Sequence, residues 1–152
     1  DPEGVEAKGT VKGLGLLPCD TVFIPQKSRT RMRADVLAQP FAGAELDGYE
    51  IHMGRTLRTG GQPFCRLHTG AEDGAVQGQV FGTYLHGLFD SGSLTDRLAA
   101  WLLEKKGLPA DRVPTMDRAA YKEDQYNQLA AGVRAALDLP AIYRAMEEYS
   151  HG

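Results

Sequence analysis

A histidine at position 86 lies in the segment of this 152-residue chain that is best suited to chemistry. Residues 82–90 read Gly-Thr-Tyr-Leu-His-Gly-Leu-Phe-Asp, in which β-branched and aromatic residues predict a strand and Gly87 permits a sharp turn. Sheet ends are where α/β folds place catalytic groups, and an imidazole titrates near neutral pH. His86 is therefore a candidate general acid and base. The alternative is an imidazole satisfied by a backbone carbonyl in a loop, without a chemical role.

A second segment, residues 48–54, reads Gly-Tyr-Glu-Ile-His-Met-Gly. In a strand, successive side chains alternate between faces, so Glu50 and His52 share one face and Tyr49 lies on the other. A carboxylate and an imidazole on one face could bind a metal or exchange protons, and the alternative is a solvated polar face. A metal needs more ligands than this pair, and we predict no metal site. The remaining candidate ligands, which show no recognised ligand spacing, are His68, His86, Cys19 and Cys65.

The composition is that of an ordinary globular protein, with 42% hydrophobic residues, a net charge of −3 and a pI near 5.8. One domain is the expectation for this length. No leader segment or long apolar run is evident, which favours a cytosolic protein without membrane contact. The basic residues are scattered except for a cluster at positions 27–33, which argues against nucleic-acid binding. That cluster is predicted to be a solvated face, although it could meet carboxylates on a substrate or on an acidic partner.

Strands are predicted in the first 90 residues and helices after them, which indicates an α/β fold. Ser93 resembles a helix cap, and Leu94, Leu98, Trp101 and Leu102 fall on one helical face before a stop at Gly107. A second helix is predicted from about Asp117 to Leu137, and a third begins near Asp138. The predicted strands are Thr21–Ile24, Met32–Leu37, Glu45–Met53, Phe64–His68 and Val76–Leu85.

Residues 48–54 and 82–90 together resemble the second half of a class I glutamine amidotransferase domain of the cobyric acid synthase family. The similarity extends to residues 1–6 (Asp-Pro-Glu-Gly-Val-Glu), to residues 13–17 (Gly-Leu-Gly-Leu-Leu) and to the helical tail. The resemblance implies a flavodoxin-like α/β domain of which residues 1–152 form the C-terminal part. Residues 1–90 would be its strand-rich part and residues 91–152 its helical tail. The half with the nucleophile and an ATP-binding synthetase domain would lie outside the chain.

The same resemblance implies a reaction. Glutamine would supply ammonia for the ATP-dependent amidation of carboxylates of adenosylcobyrinic acid a,c-diamide, a corrinoid, in cobalamin biosynthesis, with ATP and Mg²⁺ used by the full-length enzyme. His86 would shuttle protons, and Tyr49, Glu50 and His52 would border the glutamine pocket. In many class I relatives an acid two positions after the histidine orients it, but Leu88 occupies that position here. Either a dyad suffices or another acid takes over, and Glu50 is our candidate for the His-orienting acid.

The nucleophile implied by the resemblance is a cysteine in a Gly-x-Cys-Gly-Gly turn, where a helix N-terminus and a nearby imidazole lower the pKa of the thiol. Cys19 follows Pro18 and Cys65 follows Phe64, and no glycine adjoins either cysteine. Both are predicted to be structural, buried and reduced. We accordingly predict that the chain alone does not hydrolyse glutamine.

Two other interpretations stay open. The chain could belong to a related amidotransferase, such as a cobyrinic acid diamide synthase or the small glutaminase subunit that amidates peptidoglycan lipid precursors. Residues 48–54 favour the cobyric acid synthase family over these. The chain could also be a non-catalytic binding module that keeps the fold without the chemistry.

Overall fold

Two long antiparallel strands dominate the fold, in a computed structural model that describes residues 1–90, 93–109 and 117–150. Strand β1 spans Cys19–Val36 and β2 spans Glu45–Arg58, and they pair along almost their whole length. The register shifts between Phe23 and Ser28. Pro25 lies in that interval, and a proline without an N–H is tolerated at such an irregularity. The segments predicted as two separate strands, Thr21–Ile24 and Met32–Leu37, therefore belong to one.

The main sheet has five strands in the order β4-β3-β1-β2-β7, and every pairing found in the described residues is antiparallel. A separate two-stranded sheet is formed by β5 and β6. The strand predicted over Val76–Leu85 is divided, because Gly78 takes a φ of +61° and turns the chain between β5 and β6. The short strands are β3 (Cys65–Leu67), β4 (Glu72–Asp73), β5 (Ala75–Gln77), β6 (Val80–Gly82) and β7 (Leu85–His86).

The core covers one face of the main sheet. Alternate residues of β1 and β2, among them Ala34, Val36 and Leu46, are buried there together with Leu85 of β7. Arg29, Arg31 and Arg33 alternate with the buried positions of β1 and are exposed. The sheet thus has one apolar face and one polar face, as expected of an antiparallel sheet that is solvated on one side.

Helix α1, Leu94–Lys105, packs against this core. Leu94 is buried, and the Trp101 ring meets the Phe41 ring edge-on with centroids 5.5 Å apart. Leu102 was predicted on the same face but is 48% exposed. It directly follows Trp101, and each residue rotates the helix by about 100°, so Leu102 lies away from the face that carries Trp101. Ser93 holds the cap position, but its helical φ and ψ of −88° and −4° differ from the extended cap geometry, and its side chain makes no cap hydrogen bond.

The chain divides into two compact units, one of residues 1–115 and one of residues 116–152. The division falls after α1, because α1 packs on the core of the first unit. The second unit contains α2 (Arg118–Ala136) and α3 (Leu139–Ser150). Asp117 caps α2 by accepting hydrogen bonds from the backbone N–H groups of Ala119 and Ala120, both at 3.0 Å. The predicted order of strands followed by three helices is confirmed.

The apolar residues predicted along α2 lie at helical spacing, but none of the described residues of this helix is buried. Leu129 is 66% exposed and Tyr126 is 55% exposed. Among the described helices, we find none with the length and apolar character that a membrane span requires.

Candidate active site

His86 lies at the end of β7, an edge strand of the main sheet, with its side chain exposed. It pairs directly with Tyr49 of β2, and the two rings stack with centroids 5.2 Å apart and planes 17° from parallel. Directly opposed residues in an antiparallel pair share a face, so the Tyr49 phenol and the His86 imidazole stand together on the polar face. The prediction that His86 is exposed at a sheet end agrees with this position.

A hydrogen bond fixes the protonation pattern of the imidazole. Nδ1 of His86 lies 2.8 Å from the backbone carbonyl oxygen of Tyr84. A carbonyl oxygen can only accept, so Nδ1 carries a proton and donates it. In the neutral ring, Nε2 then has the free lone pair and can accept a proton from a reacting group.

Two glycines allow this arrangement of the backbone. A Cβ added at Gly48 would collide with the backbone carbonyl of His86, so only glycine lets β2 and β7 approach this closely. Gly87 takes a φ of +78°, a conformation that side-chain-bearing residues rarely adopt. The turn that the sequence predicted at Gly87 is therefore present directly after the imidazole.

A charged pair lies on the same face of the sheet. Arg31 is directly opposite Tyr49, so Arg31, Tyr49 and His86 form a row across three strands. Arg31 donates two hydrogen bonds of 3.1 Å to the Asp47 carboxylate, and Arg33 approaches the same carboxylate at 3.6 Å. These interactions, above all the hydrogen bond from Arg31, hold the pKa of Asp47 below its usual range. The basic cluster predicted to be solvated is exposed, but two of its members are bound to Asp47.

Glu50 and His52 leave β2 on the face opposite Tyr49, as the alternation of the strand predicts. Glu50 pairs in register with the buried Leu85, and its carboxylate lies 3.9 Å from Nε2 of His52. The structure thus brings Tyr49 to His86 and separates both from Glu50 and His52. The partner of the His86 Nδ1 is the Tyr84 carbonyl and not the Glu50 carboxylate. The assignment of Glu50 as the orienting acid stays a prediction.

Leu88 packs against the core, as a partly buried apolar side chain. The position that carries an acid in many class I relatives therefore faces the interior in this chain. No carboxylate at position 88 could orient His86 without leaving the apolar surroundings of that core.

Tyr84 connects the two faces and was not identified from the sequence. Its carbonyl holds His86, while its ring stacks on the His52 ring with centroids 4.0 Å apart. The Tyr84 hydroxyl lies 2.8 Å from the Thr56 hydroxyl, which in turn lies 2.7 Å from the Thr21 hydroxyl. The side chain of Tyr84 is thus held at both its ring and its hydroxyl. The sequence signal that could have found it is its position two residues before His86.

A cleft of about 780 Å³ opens on the face of Glu50 and His52, and we call it the Glu50–His52 cleft. It runs between the far end of the β1–β2 pair and the segments around residues 72–75 and 82–84. Both faces of the sheet near His86 therefore carry polar groups. The polar side chains that line the cleft include Lys27, Ser28, Glu50, His52, Asp73 and Thr83.

The two cysteines are free thiols in different surroundings. Cys65 is buried, and the loss of solvation raises the pKa of its thiol to about 12, with a further contribution from the negative charge of Asp73. Such a thiol is protonated at neutral pH and is a poor nucleophile. Cys19 was predicted to be buried but is only half-buried, because it begins β1 beside the cleft.

Metal-ligating side chains do not cluster in the part of the chain that the structure describes. Groups of three or more His, Cys, Asp or Glu residues that could hold an ion were not found there. Glu50 and His52 supply only two ligands, fewer than a stable protein site ordinarily uses. The described residues therefore do not fit a resident metal.

Comparison with known proteins places these features in a family. Residues 1–94 match the CobB/CobQ-like glutamine amidotransferase domain. A cobyric acid synthase from Ruminiclostridium cellulolyticum is 39% identical over 161 residues, which cover 97% of this chain and 31% of that protein. Cobyric acid synthases from Alkaliphilus metalliredigens and Klebsiella pneumoniae are 39% and 40% identical, over 97% and 93% of this chain and 32% and 30% of their own lengths.

The match spans more than half of the chain, and the chain belongs to the CobB/CobQ-like glutamine amidotransferase family. It spans about a third of the length of the curated relatives that it matches. The predicted resemblance to this family is confirmed.

Proposed function

We propose that this chain carries the histidine half of a glutaminase site in a cobyric acid synthase. The site would hydrolyse glutamine and supply ammonia for amidation of the carboxylates of adenosylcobyrinic acid a,c-diamide. The observation that carries the proposal is the exposed imidazole of His86, whose Nδ1 is held by the Tyr84 carbonyl and whose Nε2 is left as an acceptor. The similarity to several cobyric acid synthases supports this enzyme over the related amidotransferases.

In the proposed reaction His86 works with a cysteine thiol outside residues 1–152. Nε2 accepts the thiol proton, and the thiolate attacks the carboxamide carbon of glutamine. Nε2–H then gives its proton to the departing nitrogen, which leaves as ammonia while a glutamyl thioester remains. Nε2 next accepts a proton from water as the water attacks the thioester, and Nε2–H returns a proton to the departing sulfur, so that glutamate and the free thiol are released. Each of these steps uses the one ring nitrogen that the Tyr84 hydrogen bond leaves free.

The amidation step would use ATP and Mg²⁺ in a synthetase region of the whole enzyme, where the corrinoid would also bind. The proposed glutaminase steps use only the imidazole, the thiol and water. ATP would activate a corrinoid carboxylate for attack by ammonia. Residues 1–152 would take part in the glutaminase step, which releases the ammonia.

The test is glutaminase activity of the full-length enzyme with His86 replaced. Loss of a general acid and base costs roughly 10²–10⁴ in rate, so His86→Ala should lower the rate of glutamine hydrolysis by that factor. His68→Ala is the matched control, because His68 is an exposed histidine 3.4 Å from Asp35, directly after β3 and away from the edge strand β7 that carries His86. Turnover that survives in His86→Ala would show that the proposed role is wrong.

A second experiment locates the nucleophile. A diazoketone analogue of glutamine should label a cysteine of the full-length enzyme covalently, and peptide mapping should place the label outside residues 1–152. Labelling of Cys65 or Cys19 would contradict the proposal. The isolated 152-residue chain should neither react with the analogue nor hydrolyse glutamine.

The group that orients His86 has two candidates, the Tyr84 carbonyl and Glu50. We favour the carbonyl, because it accepts the Nδ1 hydrogen bond at 2.8 Å. A Glu50→Gln variant of the full-length enzyme decides between them. Undiminished glutaminase activity would exclude Glu50, whereas a loss as large as that of His86→Ala would favour it.

The glutamine itself would lie over the polar face, beside Tyr49 and His86. The predicted contacts of Glu50 and His52 with the same glutamine would require the ligand to reach the opposite face of β2. We therefore keep Tyr49 in the proposed glutamine pocket of the catalytic site. Glu50 and His52 are better placed for a ligand in the cleft.

A further inference from the structure

We propose that Asp73 is a positioning residue for His86, which it reaches through the Thr83 hydroxyl and the backbone of Tyr84. This role rests on the proposed function, because the imidazole that Asp73 would hold is that of the proposed glutaminase site. Asp73 would act through the Tyr84 carbonyl, which accepts the hydrogen bond from Nδ1 of His86 at 2.8 Å.

Strand pairing brings Asp73 to the start of β7. Ala75 of β5 is directly opposite Gly82 of β6, so the residues just before the one and just after the other come close together. Gly74 allows this approach, because it takes a φ of +75° and a Cβ there would collide with the Gly82 carbonyl. Arg58 fixes the same segment by donating to the Gly74 carbonyl at 3.1 Å. The Asp73 carboxylate is thus held against the two residues that precede β7.

The Asp73 carboxylate accepts two hydrogen bonds there, both at Oδ2. One donor is the Thr83 hydroxyl, and the other is the backbone N–H of Tyr84 at 3.2 Å. The Thr83 oxygen in turn accepts from the backbone N–H of Leu85 at 3.1 Å. An N–H can only donate, so the hydroxyl hydrogen of Thr83 is left to point at Asp73. The direction of each of these bonds is therefore determined.

These bonds form a continuous chain from the carboxylate to the imidazole. The Leu85 N–H and the Tyr84 C=O belong to one peptide group, whose oxygen accepts from Nδ1 of His86. At every link the donor lies on the His86 side and the acceptor on the Asp73 side. Hydrogen bonds in such a chain polarise one another, and a charged acceptor strengthens the bond that it receives. The negative charge of Asp73 thus makes the Tyr84 carbonyl a stronger acceptor for the Nδ1 proton.

This chain supplies what position 88 lacks. In a catalytic triad the acid fixes the tautomer and orientation of the imidazole and stabilises the imidazolium that forms during the reaction. Leu88 cannot do so, and it packs against the core. Asp73 would supply the negative charge from a distance of one hydroxyl and one peptide group. Asp73, Thr83 and Tyr84 are all half-buried, so bulk water competes less with their hydrogen bonds.

The first test interrupts the chain in the full-length enzyme. Thr83→Val removes the hydroxyl and keeps the shape of the side chain, so glutaminase kcat should fall by about tenfold with little change in KM. The ¹⁵N signals of the His86 ring, assigned by their loss in His86→Ala, should move from the Nδ1–H form towards mixed tautomers at about pH 8.5. Thr83→Ser keeps the hydroxyl and should restore both readouts. The exposed Thr69→Val is the matched control and should change neither.

The second test separates the charge of Asp73 from its hydrogen bonds. In Asp73→Asn the amide oxygen can still accept from Thr83 and Tyr84, so the local structure should be kept while the charge is lost. Glutaminase kcat should fall by about threefold or more, because the bonds are no longer charge-assisted. Asp20→Asn, at an exposed position of β1, is the matched control and should keep the wild-type kcat.

The outcomes separate the positioning role from the glutaminase role. A fall in kcat of Thr83→Val without a change in the ¹⁵N shifts would show a structural effect only and would overturn the role of Asp73. Equal impairment of Thr83→Ser and Thr83→Val, or wild-type kcat in Asp73→Asn, would overturn it as well. Glutamine hydrolysis that survives in His86→Ala would instead overturn the glutaminase role, and the ring shifts would still report whether Asp73 holds the imidazole.

Discussion

The backbone carbonyl of Tyr84 accepts a hydrogen bond from Nδ1 of His86, while the ring of Tyr84 is stacked on His52 on the other face of the sheet. The position of the His86 imidazole therefore depends on a side chain that does not touch it. We propose that Tyr84 is a positioning residue, because its ring and its hydroxyl are both held beside the strand that carries the imidazole.

Two variants of Tyr84 separate these two supports. Tyr84→Phe keeps the ring on His52 and loses the hydrogen bond to Thr56, so glutaminase kcat of the full-length enzyme should fall by less than about threefold. Tyr84→Leu loses both supports and should lower kcat by about tenfold or more, with little change in KM, because the misplaced imidazole serves the transition state. The ¹⁵N shifts of the His86 ring should show mixed tautomers in Tyr84→Leu alone. Equal shifts in both variants would contradict the positioning role.

Gly48 is predicted to tolerate no side chain. A Cβ there would meet the carbonyl of His86, which is backbone and cannot move aside without displacing β7. Gly48→Ala should lower the free energy of unfolding by about 1–3 kcal/mol and reduce glutaminase activity in the full-length enzyme. Gly13→Ala is the matched control, since a Cβ there meets nothing within 4 Å. Denaturant titration measures both, and equal stabilities would refute the close approach of the strands.

Cys65 should resist alkylation in the folded chain. Burial raises the pKa of its thiol from 9.0 to about 12, which lowers the thiolate fraction at pH 8 by roughly a thousandfold. Iodoacetamide at pH 8 should therefore modify Cys65 only after the chain is unfolded in urea. Mass spectrometry of the digested chain, with and without urea, reads the result. Equal modification in both conditions would show that Cys65 is accessible and ionised.

The Arg31–Asp47 pair should make stability depend on pH in the acid range. The pKa of Asp47 is lower in the folded chain than in the unfolded chain, so the pair stabilises the fold above the unfolded pKa of about 3.9. That stabilisation is lost as the pH falls through the folded pKa of Asp47. The melting temperature should thus fall less between pH 5 and pH 3 in Asp47→Asn than in the wild type.

The control for this measurement is Arg31→Gln, which removes the other member of the pair. Like Asp47→Asn, it should reduce the fall in melting temperature between pH 5 and pH 3. An equal fall in melting temperature between pH 5 and pH 3 in the wild type and both variants would show that the pair contributes no stability.

Local patterns predicted much of this fold and part of its site. The alternation of residues 48–54 predicted that Tyr49 and Glu50 lie on opposite faces, and it does so because a strand has a period of two residues. The helical spacing of Leu94, Leu98 and Trp101 predicted the face that α1 buries. Both patterns depend only on neighbours in the sequence.

Contacts between distant residues were outside the reach of such patterns. The pairing of Cys19–Val36 with Glu45–Arg58 joins two predicted strands across Pro25, and its register is set by the partner strand. The link from His86 through Tyr84 to His52 joins residues up to 34 positions apart, through rings and a carbonyl whose directions appear only in the folded chain. Ser93 takes the predicted cap position of α1, but its φ and ψ are helical and its side chain makes no cap hydrogen bond, which the sequence did not indicate.

Strand β7 has only two residues and forms an outer border of the main sheet. Among the described residues, no strand pairs with its outer side, so a further strand could add there. If the segment that carries the catalytic cysteine pairs with this edge of the sheet, the same pairing would place the thiol beside the His86 imidazole. Partly assembled enzyme would then release no ammonia.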